Sequence, residues 1–375
     1  GSTDKTFELL DAELGLKSVD MPYIKHYKDG KVREIFKSDK FPNVTVISKD
    51  PGTKKAGSVN AGLNIAKYEY ICVIDADTVL EPNALLNVMA PLGRSPEKII
   101  GIGSYFGISN GLEINRGQIT KRSFSFNPII AYQNLEYIRT FVGARIAWSR
   151  FNAMPNVAGG FGVWRKDILY ELGGYSVDFT CEDIELTFHV HDYIANNKEK
   201  GYKIVMLPYY SGWTEGPSNI KSLMLQRNRW QRVINETVWK YKYMLFNPKF
   251  NALAFLTFPY FVFYEVFGVF FEIISIGFVI WGWFAKVLDV NVFLAFLCLM
   301  ILSQAIVSVI SILSFARGRR IFSLGYMLYL TLLSFTEFLF YRWIISFARL
   351  MGMYDYFKGV KTYDMYVRAK RVKSS

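Results

Sequence analysis

Residues 44–77 read VTVISKDPGTKKAGSVNAGLNIAKYEYICVIDAD, and their pattern indicates the fold class. Val44–Ser48 and Tyr70–Asp75 are short apolar, β-branched runs bounded by turn residues, which is typical of buried strands. Lys55–Lys67, between them, has the apolar spacing of a helix. The stretch therefore predicts a β-α-β unit. The same alternation continues through predicted helices at 82–92 and 128–148, predicted strands at 98–103 and 157–164, and a surface excursion at 104–127.

This alternation predicts an α/β fold with an open, mostly parallel sheet and helices on both faces. Ligands of such sheets bind beyond the carboxyl ends of the strands, where Asp75 and Asp77 lie. Carboxylates at this edge suit Mg²⁺ or Mn²⁺, because such ions bind one or two carboxylates together with substrate phosphates. A simple helix-capping turn before Glu81 is the alternative interpretation.

Lys55 and Gly57 open the predicted helix together with further small residues. Backbone N–H groups and a lysine at a helix start favour a bound phosphate. A solvated lysine and glycines selected for close packing explain the same residues equally well.

Glu182 and Asp183 follow Cys181 at the start of another predicted helix. Two acids at a helix N-terminus complement its dipole, which alone accounts for them. The functional alternative is a general base with a neighbouring acid that positions an acceptor.

Gln226, Arg229 and Trp230 fall on one side of a predicted helix that precedes the apolar part of the chain. An amide, a guanidinium and an indole together suit a diphosphate and a stacked sugar. A basic amphipathic helix on lipid headgroups is the alternative, and the two interpretations are compatible.

Five motifs in this order resemble the processive family 2 glycosyltransferases, the synthases of cellulose, hyaluronan, chitin and poly-N-acetylglucosamine. The resemblance is close over residues 1 to about 235 and looser beyond. The motifs are KAGSVNAGL (55–63), DADT (75–78), GGFGVW (159–164), CED (181–183) and QRNRW (226–230). The resemblance implies a nucleotide-sugar-binding GT-A-like fold and inverting sugar transfer from a UDP-sugar, with UDP-glucose or UDP-N-acetylglucosamine as donor.

The resemblance also implies roles for individual residues. Asp183 would be the catalytic base, and Asp77, with Asp75, would hold the metal. Cys181 stands where the family usually has Thr, which leaves both acids intact. The donor would contact Lys55, Gly57, Asp75, Asp77, Gln226 and Arg229, and the acceptor would contact Gly160, Phe161, Gly162, Glu182 and Trp230.

The opening Gly1-Ser2-Thr3-Asp4-Lys5-Thr6 resembles the end of an Asp-Asp-Gly-Ser-Thr-Asp-x-Thr turn that follows the family's second strand. The resemblance thus implies that this chain is N-terminally truncated and lacks the first strand, the leading aspartates of the turn and any preceding membrane helices.

The chain changes character near residue 240, since charge is sparse from 250 to 347 and Phe, Leu, Ile and Val dominate. We expect a glycosyltransferase domain at 1–240, interfacial and transmembrane helices at 241–348 and a basic tail at 349–375. Three stretches approach the roughly 20 apolar residues of a span, at 266–285, 292–315 and 321–341, and 250–265 is predicted to be interfacial.

The basic residues 317–320 predict a cytoplasmic loop, in agreement with a cytoplasmic catalytic domain. A third span would place the basic tail on the outer side, against that rule, unless the last apolar segment is partly interfacial. Glu265, Glu272 and Glu337 lie in or beside apolar segments and are candidates for lining a polymer path. For Glu265, a position at the interfacial end of a span is the simpler explanation.

The composition, with 51% hydrophobic residues and a net charge of +12, indicates an integral protein of the cell or inner membrane. The basic residues form no stripe with exposed aromatics, so no nucleic acid is expected as a partner. Expected partners are a UDP-sugar, a polysaccharide acceptor, lipid and, by resemblance, an accessory subunit. Alternatives are a single-sugar transferase acting on a lipid carrier, a transporter with a regulatory domain, and a scaffold; intact acidic motifs and Arg229 disfavour the scaffold.

Overall fold

The computed structural model describes residue 2 and residues 4–93, 95–115, 117–318 and 321–360. The predicted basic loop at 317–320 lies partly outside these residues, and residues 361–375 of the tail lie wholly outside them. The α-helices are α1 (Thr6–Leu14), α2 (Lys54–Ile65), α3 (Ala84–Leu92), α4 (Pro128–Ile138), α5 (Ile146–Arg150), α6 (Lys166–Leu172), α7 (Glu182–Asn196), α8 (Ile220–Lys240), α9 (Gly268–Phe284), α10 (Val290–Gly318), α11 (Leu324–Thr336) and α12 (Tyr341–Phe357).

Ten strands form three sheets within the described residues. The strands are β1 (Leu16–Ser18), β2 (Val32–Ser38), β3 (Thr45–Lys49), β4 (Tyr70–Ile74), β5 (Val79–Leu80), β6 (Ile99–Ile108), β7 (Glu113–Asn115), β8 (Gln118–Lys121), β9 (Phe161–Arg165) and β10 (Lys203–Thr214). The central sheet has the order β4-β9-β6-β10-β5, and β1-β2-β3 form a separate antiparallel sheet. The α/β class predicted from the sequence is confirmed.

The prediction of a mostly parallel sheet is wrong at the level of strand pairs. Among the described strands of this sheet, β6 and β10 are the one pair that is parallel, whereas β4–β9, β6–β9 and β10–β5 are antiparallel. The reason is the position of β9, which runs back between β4 and β6 and so separates two strands of equal direction. The predicted β-α-β unit is likewise divided, since β3 and β4 lie in different sheets.

The predicted surface excursion begins later than expected, because β6 continues to Ile108 and is buried along its whole length. Its glycines permit close packing instead of marking a turn. A Cβ at Gly107 would lie 2.3 Å from the ring of Trp213, and one at Gly101 would lie 2.5 Å from the ring of Trp164. Only the hairpin β7–β8 is an excursion.

A continuous helical stretch from residue 128 to 150 lies against the central sheet and consists of α4, a π-helical segment at Arg139–Arg145 and α5. Asn127 begins it, because its side chain accepts a hydrogen bond from the Ile129 N–H at 2.9 Å. Helix α8 begins in the same way at Asn219, whose side chain accepts from the Ser222 N–H. These two helices connect the sheet to the apolar part of the chain.

One helix among the described residues, Val290–Ala316, is long and apolar enough to cross a membrane. Two bent pairs pass the same test together, so up to three spans are compatible with length and composition. Leu253–Val266 meets Gly268–Phe284 at 42°, and Leu324–Thr336 meets Tyr341–Phe357 at 64°. These features indicate membrane association, and the three predicted spans stay a prediction.

Candidate active site

Lys55 joins four of the five sequence motifs. Its ammonium nitrogen lies 2.6 Å from Asp75 Oδ1 and 2.9 Å from Glu182 Oε1, and it donates a hydrogen bond to the Gly159 carbonyl at 3.0 Å. Helix α2 brings the lysine to the end of β4, while the turn before β9 and the start of α7 bring the other two groups. Residues that are more than 100 positions apart in sequence thus meet at one ammonium group.

Opposing electrostatic effects act on this cluster. Burial opposes the charge of Lys55, but the carboxylates of Glu182 and Asp75 outweigh it and raise the pKa of the ammonium group. Burial and the neighbouring Asp183 raise the pKa of Glu182, against the influence of Lys55. Lys55 is therefore firmly charged, and it is the group that makes an ionised Glu182 tolerable in its buried position.

Asp183 is held in a fixed orientation by three donors. Its Oδ2 accepts from the Gly159 N–H at 2.9 Å, and its Oδ1 accepts from the Ile184 N–H at 2.7 Å and from the Cys181 thiol at 3.1 Å. Cys181, the residue that departs from the family pattern, thus still donates to the acid. The carboxylate therefore has a fixed orientation, which a general base requires.

The glycine-rich turn before β9 is crowded. A Cβ at Gly159 would lie 2.9 Å from Lys55 Nζ, and one at Gly160 would lie 2.6 Å from the ring of Phe106. Phe161 and Gly162 follow within β9, where Phe161 is 1% exposed. Of the residues predicted to contact an acceptor here, Gly160 lies in the turn itself, while Phe161 and Gly162 form part of the core beneath it.

Gly57 lies where α2 approaches the preceding loop. A Cβ there would lie 2.0 Å from Thr53 Oγ1, and that hydroxyl accepts from Lys49 and donates to the Asp29 carbonyl. Close packing accounts for this glycine, and its predicted contact with a nucleotide stays a prediction.

Asp77 lies two residues beyond Asp75 and accepts a hydrogen bond from Thr214 Oγ1 on β10 at 3.3 Å. The described residues contain no group of three or more His, Cys, Asp or Glu side chains that would cage a metal. Two half-exposed carboxylates at a strand end fit a divalent ion that takes its remaining ligands from substrate phosphates and water. Asp75 and Asp77 are thus suited to Mg²⁺ or Mn²⁺ with a nucleotide present.

Gln226, Arg229 and Trp230 lie on α8, but the surroundings of the three side chains differ. Gln226 is buried, and its side-chain oxygen has no hydrogen-bond partner within the described part of the chain. Burial raises the pKa of the Cys181 thiol, and the charge of the nearby Arg229 acts against this rise. The ring of Trp230 stacks on the guanidinium of Arg227 at 4.3 Å. The helix therefore directs Arg229 toward the start of α7.

Sequence reasoning missed Arg145 and Thr187. Arg145 belongs to the π-helical segment, lies over the Phe141 ring at 4.4 Å and interacts electrostatically with Asp183. Burial lowers its pKa to about 10, against the effect of Asp183. Thr187 donates to the Asp183 carbonyl and accepts from the Val157 N–H. The only signal for Arg145 was a single cation within the apolar stretch FVGARIAW, and Thr187 gave none.

Comparison with known proteins finds a family match over the part of the chain that contains Lys55, Asp75 and the Gly159 turn. Residues 29–172 match the family described as Glycosyl transferase family 2. The poly-beta-1,6-N-acetyl-D-glucosamine synthase of Staphylococcus epidermidis is 26% identical over 216 residues, which cover 56% of this chain and 47% of that protein. The probable glycosyltransferase YdaM of Bacillus subtilis is 28% identical over 224 residues, covering 59% and 48%. The chain spans about half the length of these curated relatives.

A solved structure is similar over much of the chain. The mannosyltransferase PcManGT from Pyrobaculum calidifontis, in complex with GDP-Man and Mn²⁺, aligns with a TM-score of 0.43 and 14% identity. The alignment covers 83% of this chain and 68% of that one.

Proposed function

We propose that the protein transfers sugar from a UDP-sugar to a growing β-linked polysaccharide at the membrane, with inversion at the anomeric carbon. The match of residues 29–172 to family 2 of the glycosyltransferases supports this proposal. The observation that carries the proposal is the convergence of Asp75, Glu182 and the Gly159 turn on Lys55. A transferase needs its donor and acceptor groups at one point, and this cluster supplies both.

The acceptor half of the reaction belongs to Asp183. Its carboxylate takes the proton of an acceptor hydroxyl while that oxygen forms the new bond to the anomeric carbon. The bond between the anomeric carbon and the phosphate oxygen breaks, and its electron pair leaves with UDP. An α-linked donor then gives a β-linked product. The hydrogen bond from Gly159 keeps Asp183 in place as it takes the proton.

The donor half belongs to Lys55, Arg229 and the two aspartates. When bound, a divalent ion at Asp75 and Asp77 supplies charge stabilisation to the diphosphate. Arg229 on α8 offers a guanidinium to the same diphosphate. Lys55 forms ion pairs with both Asp75 on the donor side and Glu182 on the acceptor side. A shift of Asp75 when the donor binds would therefore alter the ion pair of Glu182 as well.

N-acetylglucosamine is the sugar that the comparisons favour over glucose, because the curated relatives of S. epidermidis and S. aureus are named as poly-beta-1,6-N-acetyl-D-glucosamine synthases. UDP-glucose is the second donor in the same test.

The test follows UDP release by the full-length protein in vesicles from UDP-N-acetylglucosamine and UDP-glucose, with Mg²⁺ or Mn²⁺, and measures the size of the product. A long polymer, absent when Asp183 is replaced by Asn, is the expected result. A product that consists of a single sugar on a lipid carrier would instead support the alternative function, a single-sugar transferase. UDP release that is absent with both donors would overturn the proposal.

A further inference from the structure

The first residues of the segment from Phe322 to Val360 contact the glycosyltransferase domain. The ring of Phe322 lies 4.4 Å from that of Phe124, and Tyr326 stacks on the same ring at 5.2 Å. The Tyr326 hydroxyl accepts a hydrogen bond from Asn134 at 2.8 Å, and Tyr329 donates to the Phe126 carbonyl at 2.9 Å. The first half of α11 therefore lies directly on the domain.

The far end of α11 contacts the same domain again. Thr336 lies within hydrogen-bonding distance of the Tyr132 hydroxyl, at 2.7 Å. Glu337 forms a two-point ion pair with Arg139, with both oxygens 2.6 Å from a guanidinium nitrogen. Since α11 has only 13 residues, it is about 20 Å long, against roughly 30 Å of hydrocarbon in a bilayer. A helix that is shorter than the membrane and attached to one soluble domain at both ends does not cross it.

Helix α12 stays beside the same domain. Tyr341 donates to Glu136, Arg349 Nε donates to Gln231 at 2.9 Å, and Asp355 accepts from Asn228 at 2.6 Å. The Val360 carbonyl accepts from Arg232 at 3.0 Å, so the last described residue also lies on α8. Helices α4 and α8 carry several polar and charged side chains and are too polar to follow α11 and α12 into lipid.

The opposite face of α11 has no protein partner within the described residues. Its exposed side chains recur at helical spacing, with Leu324 at 69%, Leu328 at 57%, Leu332 at 69% and Phe335 at 41% exposure. The buried face, with Leu330 at 0% exposure, is turned toward the domain. A leucine face of this kind in water would be costly, at roughly 1.5 to 3 kcal/mol for each large side chain.

The neighbouring helices identify what covers this face. The segment just before α9 is linked to the domain by the hydrogen bond that Gln231 donates to the Glu265 carbonyl, and the end of α10 by the ring contact of Phe315 with Tyr210. In the second half of α10, Ala305 and Ser308 are buried against the domain, and Ser308 accepts a hydrogen bond from Arg139 at 2.7 Å. Closer to the turn at 285–289, the described side chains of both helices are mostly apolar and exposed. Helix α11 packs beside α10, so its leucine face lies next to a helix of membrane-spanning composition.

We propose that residues 322–360 form a lipid-binding hairpin that stays on the domain side of the bilayer, with the leucine face of α11 among the acyl chains of that leaflet. The membrane is then crossed within residues 253–318 only by α9 and α10, and Val360 emerges on the side of the glycosyltransferase domain. This arrangement removes the conflict between a third span and the basic tail. It does not depend on the reaction proposed above.

Cysteine labelling in sealed vesicles tests the orientation. The variants are Lys358→Cys beyond the hairpin, Val287→Cys in the turn between α9 and α10, and Lys198→Cys on the soluble domain, each in the full chain with its native cysteines replaced. In vesicles where Lys198→Cys reacts with a membrane-impermeant maleimide, Lys358→Cys should react to the same extent. Val287→Cys should react at less than about a tenth of that level until detergent is added. Reaction of Lys358→Cys only after detergent addition would overturn the proposal.

A nitroxide attached at Leu332→Cys tests the occupant of the leucine face. Collisions with dissolved oxygen should exceed collisions with a water-soluble nickel chelate, whereas a nitroxide at Lys198→Cys should show the opposite preference. A preference for nickel at position 332 would mean that the face is in water. Protection from both reagents would mean that protein, such as a second copy of this chain, covers it, and either result contradicts lipid binding. Both labelling readouts are independent of UDP turnover, so a failure here differs from a failure of the proposed reaction.

Discussion

The ammonium nitrogen of Lys55 lies 2.6 Å from a carboxylate oxygen of Asp75 and 2.9 Å from one of Glu182. This single cation connects the end of β4 with the start of α7. We predict that Lys55→Met lowers UDP release by about 100-fold or more, the usual scale for loss of a preorganised charge in an active site. The neighbouring Lys54, which is exposed and donates to the Phe179 carbonyl, provides the control. Lys54→Met should retain turnover close to that of the parent, and equal losses in both variants would contradict the assignment.

Asp183 differs from other nearby acids in its three hydrogen-bond donors. We expect Asp183→Asn to lower turnover by about 10² to 10⁴-fold, because an amide cannot take the proton of the acceptor. Binding of UDP, followed by calorimetry, should change little. Asp178→Asn removes an exposed acid five residues earlier and should leave the rate unchanged. A normal rate for Asp183→Asn would require a different base.

The Arg139–Glu337 pair is almost fully buried, with side-chain exposures of 18% and 5%. We expect Glu337→Gln to destabilise the protein by about 3 to 5 kcal/mol, because it leaves an unpaired cation in a buried position. Thermal inactivation in detergent measures the loss. Asp39→Asn breaks the Lys17–Asp39 pair, whose side chains are 72% and 52% exposed, and should cost less than about 1 kcal/mol. Similar shifts in the two variants would show that Glu337 is not held by its partner.

The same pair illustrates what the sequence did not reveal. Glu337 was a candidate for lining a polymer path, as were Glu265 and Glu272, because acids in apolar segments usually face water or protein. In the structure each contacts an arginine, respectively Arg139, Arg349 and Arg342. Two of those arginines come from α12 and one from the π-helical segment. Such pairs depend on tertiary contacts, which no local pattern contains.

Local patterns did predict the strands and helices around the site, since β3, α2 and β4 lie within about one residue of their expected positions except at the end of α2. These local patterns did not predict the relative directions of the strands in the central sheet. Whether β9 enters beside β4 in parallel or antiparallel is decided by the course of the chain after α5, which periodicity does not record. The sequence predicted Lys55, Asp75, Glu182 and Asp183 as site residues because their types and order match a family pattern. No motif contains Thr214 or Arg145, which reach the site only through the folding of the chain.

His191 lies in α7 and is buried, with Nε2 2.8 Å from the Met154 carbonyl. Burial lowers its pKa to about 4, against the weaker effect of that hydrogen bond. The unfolded chain binds a proton near pH 6.5 and the folded chain only near pH 4, so folding stability falls as the pH drops through this window. The loss amounts to about 3 kcal/mol below pH 4. Thermal inactivation from pH 7 to pH 4 should therefore be less pH-dependent in His191→Gln, whose amide still donates to Met154, than in the parent.

Gly352 places α12 against α8 more closely than any other residue type would permit. A Cβ at this position would lie 2.5 Å from the backbone oxygen of Asn228 and 2.8 Å from Gln231 Cβ, so Gly352→Ala has to move one helix. Overpacking of this kind costs about 1 to 3 kcal/mol. Helix α8 carries Arg229, and a displacement of about 1 Å at such a group is enough for a loss of up to about 100-fold in rate. We therefore expect UDP release by Gly352→Ala to fall by about 10 to 100-fold at a temperature where the variant remains folded.

The control is Gly325 in α11, where an added Cβ would meet nothing within 4 Å. Gly325→Ala should keep the parent rate and gain up to about 1 kcal/mol of stability, because alanine loses less conformational freedom in a helix than glycine does. A full rate in Gly352→Ala would mean that the spacing of α8 and α12 has no effect on Arg229.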